Sequence, residues 1–435
     1  MRRIPWTILT ISGALLASGA AAAELGSSLR PVTRAGDATQ VSAGAPAKPV
    51  VAASEAASDG SQEGLERWIA AFRERALAQG ISAQTFDQAL GSARYEPDVI
   101  RRDRNQSEFT KTIWDYLETA TSELRVKNGR AALAQHERTL TRIEAQYGVE
   151  KEVVTAIWGL ESAYGSYRGG NLVVDALATL AYDARRAAFF EGELLGVLKI
   201  LQSGDTSRSR MTGSWAGAMG HTQFMPSSYL AHAVDFTGDG RRDIWGDDPS
   251  DALASTAAYL KHFGWTAGQP WGVEVILPED FDYLLADRSI KKSPGDWAAL
   301  GVRDIHGKLV ADHGEASLLL PGGAAGAAFL IFDNFAVIER YNTADAYVIG
   351  VGHLSDRIAG GEKIRSDWPR DDRALSYDER IELQTRLTDA GFDTEKIDAR
   401  IGPLTINAVR RYQQARGMVP DGYASLRLLE RLREG

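Results

Sequence analysis

The chain has 435 residues, of which 44% are hydrophobic and 25% charged, so it is long enough for two or three domains with buried cores. Its formal net charge of −9 gives no support for a nucleic-acid partner, because such proteins usually carry a basic patch or stripe. Since the chain contains no cysteine, disulfides, thiolate metal sites and a cysteine nucleophile are excluded.

The first 23 residues have the three parts of a secretion signal. Two arginines form a basic start, residues 4–16 are apolar, and Ala21–Ala23 offers a cleavage site. The alternative is a single membrane anchor, but the apolar run is short for a span and contains Pro5. We expect cleavage near Ala23, a mature protein without a membrane span, and a location in the periplasm.

Beyond this signal the sequence predicts a mostly helical protein. Residues 24–62 are rich in Ala, Ser, Gly, Pro and Thr, which predicts a flexible linker. Apolar periodicity then predicts a helical domain over 63–358, interrupted between Gly264 and Gly326 by a small β-containing insertion. The helical patterns cover 107–125, 129–147, 150–163, 174–182, 186–202, 250–263, 327–340 and 344–358. A second linker, 359–374, precedes the last domain, 375–435.

One carboxyl group lies where an apolar residue is expected. Glu161 continues the helical stripe of Val154 and Ile157, seven and four residues after them. Burial on that face favours the protonated acid, and so does the negative end of a helix that we expect to stop at Gly165. A general acid needs such surroundings. The alternative is a surface residue at a frayed helix end that pairs with an arginine.

The segment 213–229 is dense in small, polar and aromatic residues. Its small residues predict backbone that passes close to a bound ligand. Its aromatic and amide side chains suit sugars, because rings stack on sugar faces and amides pair with hydroxyls. The alternative is a tight turn before a core helix, in which Phe224 and Met225 only pack.

Oxygen-bearing side chains between Asp235 and Asp243 have the spacing of a calcium loop. They stand at positions 1, 3, 5 and 9, with glycine at position 6. Position 12 is Gly246 instead of the bidentate glutamate of an EF-hand, and Asp247, Asp248 or Asp251 could supply that ligand. The pattern predicts a structural Ca²⁺ that ties down the loop, and the alternative is an Asp/Gly-rich turn without metal.

Five motifs appear together in this chain, namely Ile157–Gly165, Asp175–Leu180, Ala216–Gly220 with Gln223–Pro226, the aspartate loop, and Arg340–Asn342. On these motifs the chain resembles, over residues 65–358, the lytic murein transglycosylases of the membrane-bound lytic transglycosylase B type. The resemblance implies a mainly α (α+β) fold, with a lysozyme-like catalytic domain, a helical flanking region and the small β-containing insertion.

The resemblance also implies which residues act, with Glu161 as the catalytic acid–base. The side chains that would bind substrate are Tyr116, Ser214, Gln223, Phe224, Tyr259, Tyr341, Asn342 and Tyr347. The Ca²⁺ ligands would be Asp235, Thr237, Asp239, the carbonyl oxygen of Arg241, and Asp251. No cofactor is required for the chemistry itself.

The chemistry of this family needs one carboxyl group, whereas ordinary glycosidases need two. The resemblance implies cleavage of the β-1,4 bond between N-acetylmuramic acid and N-acetylglucosamine in peptidoglycan. Glu161 would protonate the leaving oxygen, and the carboxylate would then take the proton of the muramoyl 6-hydroxyl, which attacks C1 and gives a 1,6-anhydromuramoyl product. Two alternatives are a muramidase that delivers water and a peptidoglycan-binding scaffold without catalysis.

Residues 375–435 resemble the small three-helix peptidoglycan-binding domain found on many wall enzymes. The matching segments are Leu383–Leu387, Ile397–Pro403 and Tyr412–Gln413. Such a domain would raise the effective concentration of the enzyme on its polymer. The alternative is a helical bundle that only caps the catalytic domain. Peptidoglycan is thus the expected partner, together with other cell-wall enzymes.

Overall fold

The computed structural model describes residues 58–104 and 111–435. The predicted signal peptide and most of the predicted linker 24–62 lie outside these ranges. Within them, no helix combines the length and the apolar character that crossing a membrane requires.

The described chain is mainly helical with two small antiparallel sheets, which confirms the predicted fold class. The helices are α1 Gln62–Ala78, α2 Ala83–Leu90, α3 Pro97–Arg104, α4 Ile113–Ala120, α5 Glu123–Gln135, α6 Glu137–Tyr147, α7 Lys151–Ser162, α8 Val173–Tyr182, α9 Ala187–Ser203, α10 Pro226–His232, α11 Ser250–His262, α12 Pro294–Ala299, α13 Asp333–Tyr341, α14 Asp345–Ile358, α15 Tyr377–Asp389, α16 Pro403–Ala415 and α17 Leu426–Glu434. The strands are β1 Asn171–Leu172, β2 Thr212–Gly213, β3 Gly272–Ile276, β4 Arg303–Asp304, β5 Ser317–Leu319 and β6 Ala328–Ile331.

Helix α7 lies at the centre of the largest apolar core, which extends from Leu65 to Ile358. It packs against α5, α6, α11 and α14. Nine of its twelve residues are buried, so a helix that is apolar on nearly every face is surrounded by other helices. Its side chains are therefore held in fixed positions, which is what a catalytic group requires.

The helices before α7 break at other places than the periodicity predicted. Residues 107–110 of the pattern 107–125 lie outside the described ranges, and its remainder contains α4 and the start of α5. The pattern 129–147 runs across the break at His136. Ser122 starts α5 because its hydroxyl accepts the N–H of Arg125, and Gly148 ends α6 in the left-handed conformation. The cap at Ser122 thus divides the first pattern, whereas α6 ends at Tyr147 as the second pattern predicted.

The insertion contains a four-stranded antiparallel sheet in the order β4-β3-β6-β5. The predicted helix 327–340 is wrong at its start, because Ala328–Ile331 forms β6 between β3 and β5. All four residues of β6 are buried and apolar. A short uninterrupted apolar run is compatible with a buried strand and with a buried helix, so the sequence pattern does not distinguish them. The sheet covers its own small core around the fully buried Trp297.

The C-terminal residues form the expected three helices around a separate core. A capping box starts α15, in which Ser376 and Glu379 satisfy each other's backbone N–H groups. Leu383, Val409 and Leu429 are fully buried between the helices.

Candidate active site

Helix α7 carries Glu161 on its buried face. Val154 and Ile157 are fully buried, and Glu161 itself is 9% exposed. It is therefore not a surface residue at a frayed helix end. A carboxyl group this deep needs polar partners, because burying an unpaired charge is costly.

Tyr347 is one such partner, and its hydroxyl donates a hydrogen bond of 2.7 Å to Oε1 of Glu161. Tyr347 is in the first turn of α14, which packs along α7. The ring of Tyr116 on α4 completes this side of the site. Burial raises the pKa of Tyr116 above its ordinary value, and the negative charge of Glu161 raises it further. The hydroxyl of Tyr116 is buried and has no hydrogen-bond partner in the described part of the chain.

The chain turns sharply directly after Glu161. Helix α7 ends at Ser162, one residue before the end of the predicted pattern 150–163. Ala163, Tyr164 and Gly165 all have left-handed backbone, with φ of 49°, 59° and 81°. For the first two this costs on the order of 1 kcal/mol each or more. The hydroxyl of Ser162 stabilises the turn by accepting the N–H of Gly165 at 2.9 Å.

His221 links this turn to the loop 213–226, a contact that the sequence did not reveal. The Ser162 hydroxyl donates to the carbonyl of His221 at 2.5 Å, and the indole N–H of Trp158 donates to its Nδ1 at 3.1 Å. The Nε2 of His221 lies 2.7 Å from the carbonyl oxygen of Gly246 and donates to it, so the ring is neutral with its proton on Nε2. Burial lowers the pKa of His221, which favours this neutral form.

The glycines of the loop 213–226 are required by close contacts within the protein. A Cβ on Gly213 would lie 2.2 Å from the carbonyl of Ala218, and one on Gly217 would lie 2.6 Å from Leu177. A Cβ on Gly220 would lie 2.3 Å from the carbonyl oxygen of Ile244.

The two polar residues predicted from this loop hold it in shape. The hydroxyl of Ser214 accepts the N–H of Ala218 at 3.0 Å. Gln223 has left-handed backbone, with φ of 52°, and its Nε2 donates to the carbonyls of Gly220 and Arg168 at 2.8 and 3.1 Å. Both side chains are at least 90% buried. The loop therefore enters the site as a rigid element.

Phe224, Tyr259 and Tyr341 form one aromatic cluster, with ring centroids 5.2 to 5.8 Å apart. The hydroxyl of Tyr341 donates to the carbonyl of Thr222 at 2.5 Å, and that of Tyr259 donates to the carbonyl of Arg340 at 2.6 Å. These bonds orient the rings. Phe224 is 1% exposed, so in the described chain it packs as a core residue.

Tyr341 and Asn342 connect this cluster to Glu161. The ring of Tyr341 is stacked with that of Tyr347, at 6.5 Å and an interplanar angle of 9°. Asn342 accepts the N–H of Ala344 at 3.0 Å and so shapes the start of α14. Its Nδ2 is buried without a hydrogen-bond partner among the described residues.

The aspartate loop is held by hydrogen bonds to backbone N–H groups. Asp235 accepts the N–H groups of Gly238 and Gly240 at 2.6 and 2.8 Å, and Asp239 accepts that of Arg241 at 2.9 Å. Thr237 donates its hydroxyl to Asp235 at 3.3 Å.

Asp251 differs from the other predicted ligands because it lies behind the loop. It is 3% exposed and accepts the N–H groups of Phe236, Thr237 and Asp243 at 2.9 to 3.0 Å. In the described part of the chain, no three Asp, Glu, His or Cys side chains are grouped so that they could hold a metal ion. The carboxylates thus do not converge as the predicted Ca²⁺ site requires.

Comparison with known proteins gives matches over both regions. The transglycosylase SLT domain matches residues 64–356, and a peptidoglycan binding domain matches residues 376–432. Membrane-bound lytic murein transglycosylase B of Escherichia coli K12 is 34% identical over 291 residues, which are 64% of this chain and 79% of that protein.

Solved structures match as well. SltB3 from Pseudomonas aeruginosa, in complex with NAG-anhNAM-pentapeptide, is 51% identical with a TM-score of 0.83, covering 85% of this chain and 99% of that one. The E. coli lytic transglycosylase Slt35 in complex with calcium is 32% identical with a TM-score of 0.57, covering 70% and 95%.

Fold and site together define an enzyme of the lysozyme-like class that cleaves peptidoglycan in a lyase-type reaction. The chain belongs to the transglycosylase SLT domain family, as a lytic transglycosylase of the membrane-bound lytic transglycosylase B type with a C-terminal peptidoglycan-binding domain. The resemblance that the motifs indicated is confirmed.

Proposed function

We propose that this enzyme is a periplasmic lytic transglycosylase in which Glu161 acts first as acid and then as base. It would cleave the β-1,4 bond between N-acetylmuramic acid and N-acetylglucosamine and leave a 1,6-anhydromuramoyl end. The observation that carries the proposal is the buried carboxyl group of Glu161 with the Tyr347 hydroxyl on its Oε1. The residues predicted to bind substrate include no Asp or Glu, so none of them offers a second catalytic carboxylate.

The contact with Tyr347 assigns different tasks to the two carboxyl oxygens. Because Oε1 accepts the hydrogen bond of the Tyr347 hydroxyl, we assign the acidic proton, which passes to the leaving sugar, to Oε2. After transfer, the hydrogen bond to Oε1 stabilises the carboxylate, which then removes the proton of the muramoyl 6-hydroxyl. A relative that is 51% identical was crystallised with NAG-anhNAM-pentapeptide, and this supports the anhydro product.

Product analysis of purified sacculi tests the assignment. Glu161→Gln should lower turnover by roughly 10²–10⁴-fold, because general acid–base help of this kind is lost. Glu152→Gln, which removes a carboxyl group from the other end of α7, is the matched control and should retain activity. Mass spectrometry of the released muropeptides should show anhydro ends.

Two outcomes would contradict the proposal. Reducing ends in place of anhydro ends would identify a muramidase that uses water. Full turnover by Glu161→Gln would show that this residue takes no part in the reaction. A cellular function that persists without turnover would identify a scaffold.

The periplasmic location rests on residues 1–23, which lie outside the described ranges. The similar E. coli protein is called membrane-bound, whereas this sequence offers no cysteine for a lipid anchor. N-terminal sequencing of the protein from a periplasmic fraction should begin close to residue 24. A full-length protein in the membrane fraction would contradict this location.

The proposal that the aspartate loop binds a structural Ca²⁺ rests on the spacing of its side chains and on the calcium complex of Slt35. If Ca²⁺ binds the folded loop, a concentration of about 100 times its Kd should stabilise the protein by about 2.7 kcal/mol and raise its Tm. Asp235→Asn should remove the rise, and Mg²⁺ is the control ion. An equal Tm in CaCl₂ and in EGTA would mean that the loop binds no Ca²⁺ and is a turn held by its aspartates.

A further inference from the structure

Residues 363–370, which we call the strap, lie within the predicted linker but contact the catalytic domain along their length. The N–H groups of Arg365 and Ser366 donate to the carboxylate of Glu274 on β3 at 3.0 and 2.7 Å. Three more contacts reach α4 and the start of α5, namely Lys363 with Glu123 at 2.7 Å, Trp368 with Trp114 at 6.1 Å between ring centroids, and Arg370 with Glu118 at 2.5 Å.

Trp368 contacts both α4 and the β-containing insertion. Its ring lies beside that of Trp114 and against Gly322 of the β-containing insertion. A Cβ added to Gly322 would come within 3.1 Å of the Trp368 ring. The ion pairs of the strap join side chains that are more than half exposed and contribute little. The main connections are therefore the indole ring and the hydrogen bonds to Glu274, and of these the ring is the one that reaches α4.

The helix that Trp368 contacts is the one that carries Tyr116. Trp114 and Tyr116 are two positions apart, which places them about 200° apart around a helix and therefore on opposite faces. Trp114 is 3% exposed under the strap, while Tyr116 lies on the inner face. With eight residues, α4 is too short to be stable alone and depends on packing at both faces.

On the inner face there is no free space for α4 to approach further. A Cβ added to Gly350 of α14 would lie 3.0 Å from the Tyr116 ring. The position of Tyr116 beside Glu161 is thus limited by α14 from inside and by the strap from outside.

We propose that Trp368 is a positioning residue, which holds α4 so that Tyr116 keeps its place beside Glu161. The inference rests on the proposed function of Glu161 and of Tyr116 in the cleft. A residue of the linker to the peptidoglycan-binding domain thus helps to maintain the geometry of the catalytic site.

Steady-state kinetics of the full chain on short, soluble, uncrosslinked glycan strands test the proposal, because binding to intact wall then contributes little. Trp368→Ala should lower kcat about tenfold through misplacement of Tyr116, with KM changed less than threefold. Trp368→Phe keeps a ring and should retain at least half of the kcat. Arg410→Ala, which alters another interdomain contact, is the control and should leave kcat unchanged.

A double-mutant cycle with Tyr116→Phe separates positioning from general damage. If Trp368 acts through Tyr116, the double variant should have nearly the kcat of Tyr116→Phe alone. Multiplicative losses would overturn the proposal, and so would an unchanged kcat in Trp368→Ala. Should Trp368→Ala fail to fold by circular dichroism, Trp368→Leu takes its place in the same cycle. Glu161→Gln is measured in parallel, because activity in that variant would instead refute the proposed function.

Discussion

At the scale of single residues, the site depends on a carboxyl group in apolar surroundings with a tyrosine hydroxyl on one of its oxygens. Glu161 and Tyr347 are both more than 90% buried and are 186 positions apart in sequence. A hydrogen bond in such surroundings is stronger than in water, and a missing partner is correspondingly costly.

Tyr347→Phe removes this hydrogen bond and keeps the ring. We expect kcat to fall by about 10- to 150-fold, because a hydrogen bond to a charged group contributes about 1.5–3 kcal/mol. The stacking with Tyr341 does not need the hydroxyl, so KM should change little. Kinetics on soluble glycan strands check this, and a fall in kcat smaller than twofold would contradict it.

His353 on α14 predicts a pH effect on stability. It is 7% exposed, and burial, followed by the charge of Arg357, lowers its pKa to about 4. In the unfolded chain its pKa is near 6.5, so below that pH the unfolded state binds a proton that the folded state does not. The stability that the neutral ring contributes is therefore present above pH 6.5 and is lost as the pH falls toward 4.

Urea unfolding of wild type and His353→Gln at pH 7 and pH 5 measures this contribution. Between these two pH values the wild type should lose roughly 2 kcal/mol more than the variant. Other titrating groups are common to both proteins and cancel in the difference. Equal losses would show that His353 titrates normally in the folded state.

At the scale of elements, the loop 213–226 is shaped by glycines with left-handed backbone in tight contacts. Gly220 has φ of 70° and its missing side chain would meet the backbone of Ile244. Gly204, at the end of α9, has φ of 81° and open space around its Cβ position. A side chain would be strained in the same way at both positions, but only at Gly220 would it also meet neighbouring atoms.

Gly204→Ala should cost about 1 kcal/mol of unfolding free energy, from strain alone. Gly220→Ala should cost about 3 kcal/mol or more, because backbone atoms must also move. It should also lower activity, since the loop carries Gln223 and is bound to the turn after Glu161. Unfolding free energies from urea titration check both values, and equal costs would mean that the loop adapts easily.

At the scale of the whole molecule, the C-terminal domain is docked on the β-containing insertion. Arg410, on α16, is 11% exposed at its side chain and donates hydrogen bonds to the carbonyl of Ala286 and, at 3.3 Å, to Asp287. Asp421 accepts the N–H of Ala324 at 2.9 Å. The wall-binding domain therefore has a defined orientation relative to the catalytic domain.

Arg410→Ala should release the C-terminal domain without unfolding it, because its core around Leu383 and Val409 does not involve this side chain. Limited proteolysis should then cut within 359–374 several times faster than in wild type. Arg431→Ala, on the exposed face of α17, is the control. An unchanged cleavage rate would mean that the other contacts suffice for docking.

The sequence by itself determined the fold class, the order of the two domains and the unusual place of Glu161. Each of these follows from local information, because helical spacing reports which face is buried and short motifs identify the family. It missed the strand β6, the left-handed turn after Ser162 and the link through His221. In each case the structure depends on a residue that is distant along the chain, or on strained backbone that such a contact stabilises. Apolar periodicity carries no information about either.

Tertiary structure alone decided which predicted site residues meet. It brings Tyr347 and Tyr116 to Glu161, directs the hydroxyls of Tyr259 and Tyr341 to backbone carbonyls, and turns Asp251 toward backbone N–H groups. The physical reason is that a side chain's residue type limits what it can bind, whereas the packing of distant helices decides what is within its reach.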